Sequence, residues 1–376
     1  MPGMTNPKPS NKLNRRQFLA SSGAVLSAGL ANNGWSQTAT PAPRLRLIGE
    51  ARLPYRLQYG GTTVGGLSGI DYDPASGVYY LLSDDGGSIS PPRWYTAQIA
   101  LAADKLGSIE LTGVTFLQGL SAPDPEAIRW HAPSQSLLWT SEGNAVRGAS
   151  PSLHQTRPDG SLLRTYEMPA MFDFGSLSGS RINKTFEGLA IESDGKTAWV
   201  AMEAALRQDG QEPTVGSPGG PCRLTQIDIA SGNSTRQIAY VPDAVPRAPV
   251  PSSAYADNGV VEVLAAKPGH LLVLERAYMS GLDDRERTSM RLYAIDTRQA
   301  SDTLNISALK PGNHTPAGKT LVADFIDFPA LVRLDNTEGM CWGPVLPNGH
   351  KTLLFVSDDN FNARQITQVL AFEFLD

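Results

Sequence analysis

The sequence of residues 187–203 is EGLAIESDGKTAWVAME, and it predicts a β-hairpin. Two apolar segments flank the polar turn Ser193-Asp194-Gly195-Lys196, and an acid stands at each end of the stretch. Short apolar runs bounded by an Asp-Gly turn are typical of paired strands. Because an antiparallel hairpin places the start of its first strand beside the end of its second, Glu187 and Glu203 are predicted to be neighbours.

The same unit occurs five times along the chain. Three copies have the same length (68 to 84, 126 to 142 and 187 to 203), and the other two differ in the turn, where a change of length is tolerated best. The five copies start at Ser68, Glu126, Glu187, Glu262 and Glu338 and end at Asp84-Asp85, Glu142, Glu203, Glu275 and Asp358-Asp359. A further strand is predicted after four of them, over 94–101, 224–229, 290–295 and 368–374.

Three or four antiparallel strands repeated in this way indicate an all-β fold, a β-propeller of five or six blades. We count five hairpins, and the intervals after Glu203 and Glu275 leave room for a sixth blade. Residues 44–376 are predicted to form one domain, in which a strand over 44–53 completes the last blade and closes the ring. Two stacked β-sandwich domains are the competing architecture, but they do not explain the shared hairpin length. Five tryptophans in or beside the strands are expected to pack in the core: Trp94, Trp130, Trp139, Trp199 and Trp342.

Composition excludes several classes of protein. The chain has 376 residues, of which 41% are hydrophobic and 18% charged, as in a globular protein. A net charge of −5 argues against nucleic-acid binding, which needs a basic face. The two cysteines, Cys222 and Cys341, exclude a disulfide framework and a cysteine-only zinc site but leave one disulfide open. No G-x-S-x-G motif marks a serine nucleophile.

Residues 1–37 are predicted to be an export signal. The segment Asn14-Arg15-Arg16-Gln17-Phe18-Leu19 matches the twin-arginine pattern, and the weakly apolar stretch 19–31 that follows is shorter than the ~20 residues a membrane span needs. Cleavage is expected between Ala31 and Ala39. We therefore expect export by the twin-arginine translocation machinery, a periplasmic or secreted protein without a membrane span, and a net charge of −9 after removal of four cations.

The predicted ring gathers the hairpin acids around one mouth of a central channel. So many carboxylates repel one another unless cations neutralise them. Hard cations such as Ca²⁺, which take about six to eight oxygen ligands, are one neutraliser. Nearby basic residues, among them Arg129, Arg147 and Arg364, offer the other neutraliser, and the acids would then form structural ion pairs. The predicted metal ligands are Asp84, Glu126, Glu142, Glu187, Glu203, Glu262, Glu275, Glu338, Asp358 and Asp359.

Three segments resemble one known family: 183–190 (NKTFEGLA), 273–276 (VLER) and 357–361 (SDDNF). They are similar to the phytase-like family described as "esterase-like activity of phytase", a group of secreted bacterial β-propellers, over about residues 60–376. The resemblance implies several Ca²⁺ ions in an acidic channel mouth and cleavage of phosphomonoesters by a metal-activated water. The chain lacks the dense basic cluster of a site for highly phosphorylated substrates, so phytate itself is not the expected substrate.

The leading hypothesis is a calcium-assisted phosphoester or ester hydrolase that works as a monomer on a small anionic or ester substrate. Its predicted catalytic residues are Glu187, Lys184, Arg207 and Arg276, with the three bases holding the anionic group. One alternative is a non-catalytic binding propeller whose calcium only stiffens the ring. Another is a lactonase-like propeller with one metal held by acids and by Asn144 or Asn360.

Overall fold

The five predicted hairpins form the inner halves of five four-stranded antiparallel sheets. The computed structural model describes residues 44–120 and 123–375. The first described elements are β1 (Arg44–Leu53) and a small hairpin of β2 (Gln58–Tyr59) and β3 (Thr62–Thr63). Blade 1 contains β4 (Leu67–Asp73), β5 (Val78–Ser83), β6 (Arg93–Leu101) and β7 (Leu106–Phe116), and blade 2 contains β8 (Pro125–His131), β9 (Ser136–Ser141), β10 (Ser152–Thr156) and β11 (Leu162–Tyr166).

The remaining blades follow in chain order. Blade 3 contains β12 (Phe186–Ile191), β13 (Thr197–Met202), β14 (Cys222–Asp228) and β15 (Ser234–Tyr240), and blade 4 contains β16 (Ala256–Lys267), β17 (His270–Met279), β18 (Thr288–Asp296) and β19 (Lys319–Asp324). Blade 5 contains β20 (Asn336–Trp342), β21 (Lys351–Asp358) and β22 (Thr367–Leu375). The described helices are short 3₁₀ turns at Ala132–Ser134, Ala145–Arg147, Ala170–Phe172, Thr297–Gln299 and Phe325–Asp327, and none of them has the length to cross a bilayer.

The N-terminal strand closes the ring. β1 pairs antiparallel with β22 as the outermost strand of blade 5, from Arg44 opposite Leu375 to Leu53 opposite Thr367. This confirms the predicted closure and fixes the number of blades at five. The predicted signal of residues 1–37 and its cleavage region lie outside the described residues.

Apolar packing between successive blades holds the innermost strands around the channel. The second strands β5, β9, β13 and β21 are buried along almost their whole length, because sheets cover both of their faces. Trp94, Trp139 and Trp199 are fully buried in these layers, as expected. Cys222 and Cys341 are both free and buried, so they do not form the disulfide that the sequence left open.

Every innermost strand contains a β-bulge, which lies near the start of the strand in four blades and in mid-strand in blade 4. A bulge leaves a residue unpaired in the ladder and changes the direction of its side chain. In blades 2, 3 and 5 the bulged segment contains Glu126, Glu187 and Glu338, whereas blades 1 and 4 have Ser68 and Val261 there. The register shifts lie between Leu67 and Gly69, Pro125 and Ile128, Phe186 and Gly188, Val260 and Glu262, and Thr337 and Gly339.

Glycines beside three of these bulges allow adjacent blades to approach closely. A Cβ at Gly188 would lie 2.9 Å from the backbone nitrogen of Val263 in blade 4. A Cβ at Gly69 would lie 2.8 Å from the carbonyl oxygen of Glu126, and one at Gly339 would lie 2.7 Å from that of Ser68. Because real Cβ contacts are longer than this, a larger residue there would force the inner strands apart.

Arg129 closes the centre of the channel below the bulges. Its guanidinium donates hydrogen bonds of 2.7 to 3.1 Å to backbone carbonyls of the innermost strands of four blades. It also lies 2.8 Å from the carboxylate of Glu262, which accepts the amide of Leu189 in the remaining blade at 2.8 Å. The Arg129–Glu262 pair thus contacts all five blades and separates the two ends of the channel.

Candidate functional site

The bulges and the ends of the second strands bring eight carboxylates together at one mouth of the channel. Oxygens of Asp124, Glu126 and Glu142 lie within 4.8 Å of one another, and so do oxygens of Glu142, Glu187 and Glu203. Glu142 therefore belongs to both groups. We call the whole set the mouth ring: Asp84, Asp124, Glu126, Glu142, Glu187, Glu203, Glu338 and Asp358.

Burial and mutual repulsion make ionisation of the mouth ring unfavourable. Burial raises the pKa of Glu142 to about 8, and the charge of Glu203 adds to the effect. The pKa of Glu187 is raised by burial and then by Glu142 and Glu203. Desolvation and the nearby Asp358 likewise raise the pKa of Asp84. These carboxylates are ionised together near neutral pH only when positive charge lies close to them.

Two basic residues neutralise one side of the mouth ring. The Lys184 ammonium lies 2.9 Å from Asp257 and 3.4 Å from Glu203. The Arg276 guanidinium lies 2.7 Å from Glu338 and 3.5 Å from Glu203. Within the described ranges, no lysine, arginine or histidine lies within 4.0 Å of the other six carboxylates of the ring, so no ion pair with the protein stabilises their ionised forms.

The chemistry of the ring fits calcium. The donor set consists of carboxylate oxygens, which Ca²⁺ prefers, and at Ca–O distances of about 2.3–2.6 Å two ligands on opposite sides of one ion lie about 5 Å apart. The two groups of oxygens within 4.8 Å meet this spacing. Glu142, Glu187 and Glu203 would hold one ion, and Asp124, Glu126 and Glu142 a second one. A shared carboxylate such as Glu142 suits neighbouring metal ions.

Acids and bases face the same open space above the ring. A cavity of about 770 Å³ is lined by Glu187, Glu203 and Glu338 and by Lys184 and Arg276, which we call its basic wall. This volume lies in the range of small-molecule sites. An anionic ligand in this cavity would contact both the basic wall and any cation held by the ring.

A smaller cavity adjoins it. That cavity has about 360 Å³ and is lined by Asp84, Asp124 and Asn144. Asn360 lines both cavities, so the two form neighbouring parts of one mouth. The Asn144 side chain accepts the amide of Arg147, which fixes the adjacent turn.

Two predicted ligands of blade 4 lie away from the mouth. Glu262 pairs with Arg129 inside the channel, and Glu275 accepts hydrogen bonds from Tyr240 at 2.5 Å and Lys319 at 2.6 Å. The reason is the length of the β16–β17 hairpin, which extends to Ala256 opposite Met279 and places both glutamates in mid-strand. The repeat pattern located the strands correctly but not their ends.

Two further predicted residues also lie outside the ring. Asp359 accepts the amide of Gly66 at 3.0 Å and that of Phe361 at 3.1 Å, and so stabilises loops beside the mouth. Arg207 lines neither of the two cavities, and its backbone amide donates to the carbonyl of Gly179 at 3.0 Å. The ring and its basic wall thus include Asp84, Glu126, Glu142, Glu187, Glu203, Glu338, Asp358, Lys184 and Arg276 of the predicted set.

Sequence reasoning missed four residues of the site. Asp124 belongs to the ring but precedes the repeat by two positions. Asp257 and Tyr255 lie at the true start of blade 4. The Tyr255 hydroxyl donates a hydrogen bond to the Asp257 carboxylate at 2.6 Å. Asn336 donates to Glu338 at 2.9 Å and to Asp358 at 3.0 Å. Their position along the sequence is the signal that could have found them, because all four residues lie at or just before the start of an innermost strand.

Comparison with protein families gives one match. The family model described as "Phytase-like: Esterase-like activity of phytase" matches residues 62–361, which include the mouth ring and most of the walls of both cavities above it. No curated protein matches the chain.

Many solved structures match with low similarity. The chain has 12% identity to the periplasmic gluconolactonase of Pseudomonas aeruginosa, with 84% of this chain and 89% of that one covered and a TM-score of 0.36. It has 10% identity to the catalytic domain of the Coprinopsis cinerea GH62 α-L-arabinofuranosidase, with 88% and 96% covered and a TM-score of 0.36. It has 12% identity to Kuenenia stuttgartiensis hydrazine synthase, with 77% of this chain but only 64% of that chain covered and a TM-score of 0.33. At these values the comparisons assign no substrate.

Proposed function

This chain belongs to the phytase-like family, and from that premise we propose that it is a calcium-assisted hydrolase of phosphate or carboxylic esters. The mouth ring is the observation that carries the proposal. Six of its carboxylates have no basic partner within the described residues. Of these, Glu187 lines the larger cavity, which has room for a small substrate, and Asp84 and Asp124 line the smaller one. A ring of acids by itself is also compatible with structural ion pairs. Acids that share a cavity with a lysine and an arginine, however, suit the binding of an anionic substrate.

Each side chain of the mouth has a distinct role in this proposal. When bound, calcium supplies charge that attracts an anionic substrate and lowers the pKa of a nearby water. Glu142, Glu187 and Glu203 hold the ion. Lys184 and Arg276 present N–H donors at the cavity wall, where they bind the phosphate or carboxylate oxygens of the substrate.

The geometry of the bases is fixed before a substrate binds. Asp257 and Glu203 hold the Lys184 ammonium, and Glu338 holds the Arg276 guanidinium. Asn336 in turn links Glu338 with Asp358, so the basic wall and the acidic ring are joined by hydrogen bonds. Donors fixed in this way lose little entropy when they bind an anion.

A chelation experiment with an ester panel tests the proposal. The protein is freed of metal, and hydrolysis of a phosphomonoester, a carboxylic ester and a lactone is measured before and after addition of Ca²⁺. We expect calcium to restore activity on a phosphomonoester or a carboxylic ester, and the E187Q variant to lose at least about tenfold in kcat/KM. The exposed Glu167 provides the matched control E167Q. Activity that is equal with chelator and with calcium would contradict the proposal.

The same panel separates the alternatives. A propeller whose calcium only stiffens the ring would melt at a higher temperature with calcium but hydrolyse none of the three substrates. The ion pairs of Lys184 and Arg276 with ring acids favour this as the second candidate, because they show that part of the ring is neutralised by the protein itself. Turnover of the lactone alone would support the lactonase-like alternative, for which Asn144 and Asn360 line the smaller cavity.

We also propose that the protein is exported by the twin-arginine route and works in the periplasm or outside the cell as a monomer. The pattern at Arg15 and Arg16, with the short apolar stretch behind it, supports this. Cell fractionation of the full chain against an R15K/R16K variant tests it. Retention of the variant in the cytoplasm is expected, and equal export of both proteins would contradict the proposal.

A further inference from the structure

The opposite end of the channel contains a second cavity, of about 440 Å³. The C-terminal ends of the five innermost strands, β4, β8, β12, β16 and β20, all contribute to its wall. Arg129 lies at its base, and the Arg129–Glu262 pair separates it from the mouth ring. Its volume is that of a site for a small molecule.

Aromatic side chains form much of this wall. Tyr72, Trp130 and Trp342 all line the cavity and are only partly buried. The Trp130 indole stacks on Tyr80 with ring centres 5.5 Å apart and an angle of 15° between the planes. The Trp342 indole N–H donates to the carbonyl of Ala265 at 2.8 Å. Both indoles are therefore held in place without a ligand.

The polar groups of the wall are acidic. Asp71, Glu192 and Asp194 line the cavity. One oxygen of Asp71 accepts the amide of Trp130 at 2.6 Å, and one oxygen of Glu192 accepts the indole N–H of Trp199 at 3.1 Å.

The bases of the wall are already engaged. Arg129 is the only lysine or arginine among the described lining residues, and its two terminal nitrogens contact four carbonyls and Glu262. Both ring nitrogens of His131 contact oxygens, those of Ser134 at 2.5 Å and Gly195 at 2.7 Å. The described lining thus has three carboxylates against one guanidinium, so its net charge beside the aromatic rings is negative.

We propose that this cavity binds an organic cation, an amine or a quaternary ammonium group, between the indoles of Trp130 and Trp342 and the carboxylates of Asp71 and Glu192. Aromatic faces attract such cations through the negative charge of their π-systems, and carboxylates add a direct attraction. A neutral or anionic ligand would leave the carboxylates desolvated and unpaired, which is unfavourable.

Titration with choline and with its neutral isostere 3,3-dimethylbutan-1-ol tests the proposal. Binding is followed by calorimetry and by tryptophan fluorescence, at pH 8 because burial raises the pKa of Asp71 to about 6. We expect saturable binding of choline, with the isostere weaker by about tenfold or more. Equal affinity for the isostere, or no saturable binding of choline, would overturn the proposal.

Two further measurements locate the bound cation. The D71N and E192Q variants are expected to bind choline about tenfold more weakly, whereas D104N, at an exposed position of blade 1, is expected to bind as the wild type does. Thermal melting of each variant checks that it is folded. Choline affinity is expected to be the same with calcium and with chelator. Competition between choline and calcium would place the cation at the mouth ring and overturn the proposal.

Discussion

Arg129 and Glu262 form an ion pair of 2.8 Å on the axis of the propeller, where both side chains are almost fully buried. Through its hydrogen bonds to the backbone, this pair contacts the innermost strand of every blade. A single pair thus connects strands that lie far apart in the sequence.

We expect R129M to destabilise the protein by about 3–5 kcal/mol, because it leaves Glu262 buried without a partner. The double variant R129M/E262Q should lose less than the sum of the two single variants, since no unpaired charge remains. Urea unfolding measures the free energy of unfolding of the wild type and of each variant. The pair of the exposed Arg298 with the partly buried Asp296 supplies the control R298M, for which we expect no measurable change. If the free energy of unfolding of R129M equals that of the wild type, the ion pair does not hold the blades together.

Removal of β1 should weaken the whole ring. A chain that starts at residue 44 keeps the closing strand, whereas a chain that starts at residue 54 exposes the edge of β22. We expect the shorter chain to melt at a lower temperature and to aggregate, because an unpaired strand edge pairs with other chains. Differential scanning fluorimetry and light scattering compare the two. Identical melting would contradict the role of β1 in closure.

The close approach of blades 3 and 4 makes one glycine difficult to replace. We expect G188A to cost about 1–3 kcal/mol, because its Cβ would meet the backbone of Val263. Gly318 has no heavy atom within 4 Å of the corresponding position, so G318A should be near neutral. Chemical denaturation of both variants measures the difference. Equal stabilities would mean that the inner strands adjust without strain.

Removal of metal should destabilise the wild type more than a variant with one charge fewer. Calcium is expected to raise the melting temperature of the wild type, since it neutralises the mouth ring. E187Q should respond less to calcium and, in the presence of chelator, melt at a higher temperature than the wild type, because one repelling carboxylate is gone. E167Q, on the exposed surface, should behave as the wild type. A wild type that melts equally with chelator and calcium would refute this.

The buried His154 should make stability depend on pH. Its ring nitrogens contact Ser152 and Thr165, it packs on Trp139, and burial lowers its pKa to about 4. A histidine whose pKa is lowered by folding contributes fully above its unfolded value near 6.5, and that contribution is lost as the pH falls toward 4. Between pH 7 and pH 5 the loss is about 2 kcal/mol. The contribution of His154 is measured as the difference in unfolding free energy between the wild type and H154Q at both pH values. A difference independent of pH would contradict the assignment.

The hairpins could be predicted because their signals are local. Apolar runs and turn residues suffice to place β12 and β13, and the shared length of three copies reveals the ring. The fourth strands were harder, since β11 and β7 are partly exposed and carry many polar residues. The length of an innermost strand depends on the neighbouring blade, so the sequence misplaced the start of blade 4 at Glu262 and missed Asp257.

The tryptophans show a similar limit. Trp130 and Trp342 were expected in the core because of their strands. Each packs against a core cluster, but each stands at the end of an innermost strand, where it is only partly buried and lines the second cavity. Strand periodicity says which face a residue occupies and not how far along the channel it lies. The binding proposal for that cavity became possible only with the five strand ends in place.

The bulges have a consequence for how this scaffold can diversify. All five innermost strands contain a bulge, and in two of them the bulged residue, Ser68 or Val261, is not an acid. The backbone distortion is present whichever side chain occupies it, so composition at these sites can change while the architecture stays intact. The propeller is in this sense a modular five-position template, on which ligand number and chemistry can evolve one blade at a time.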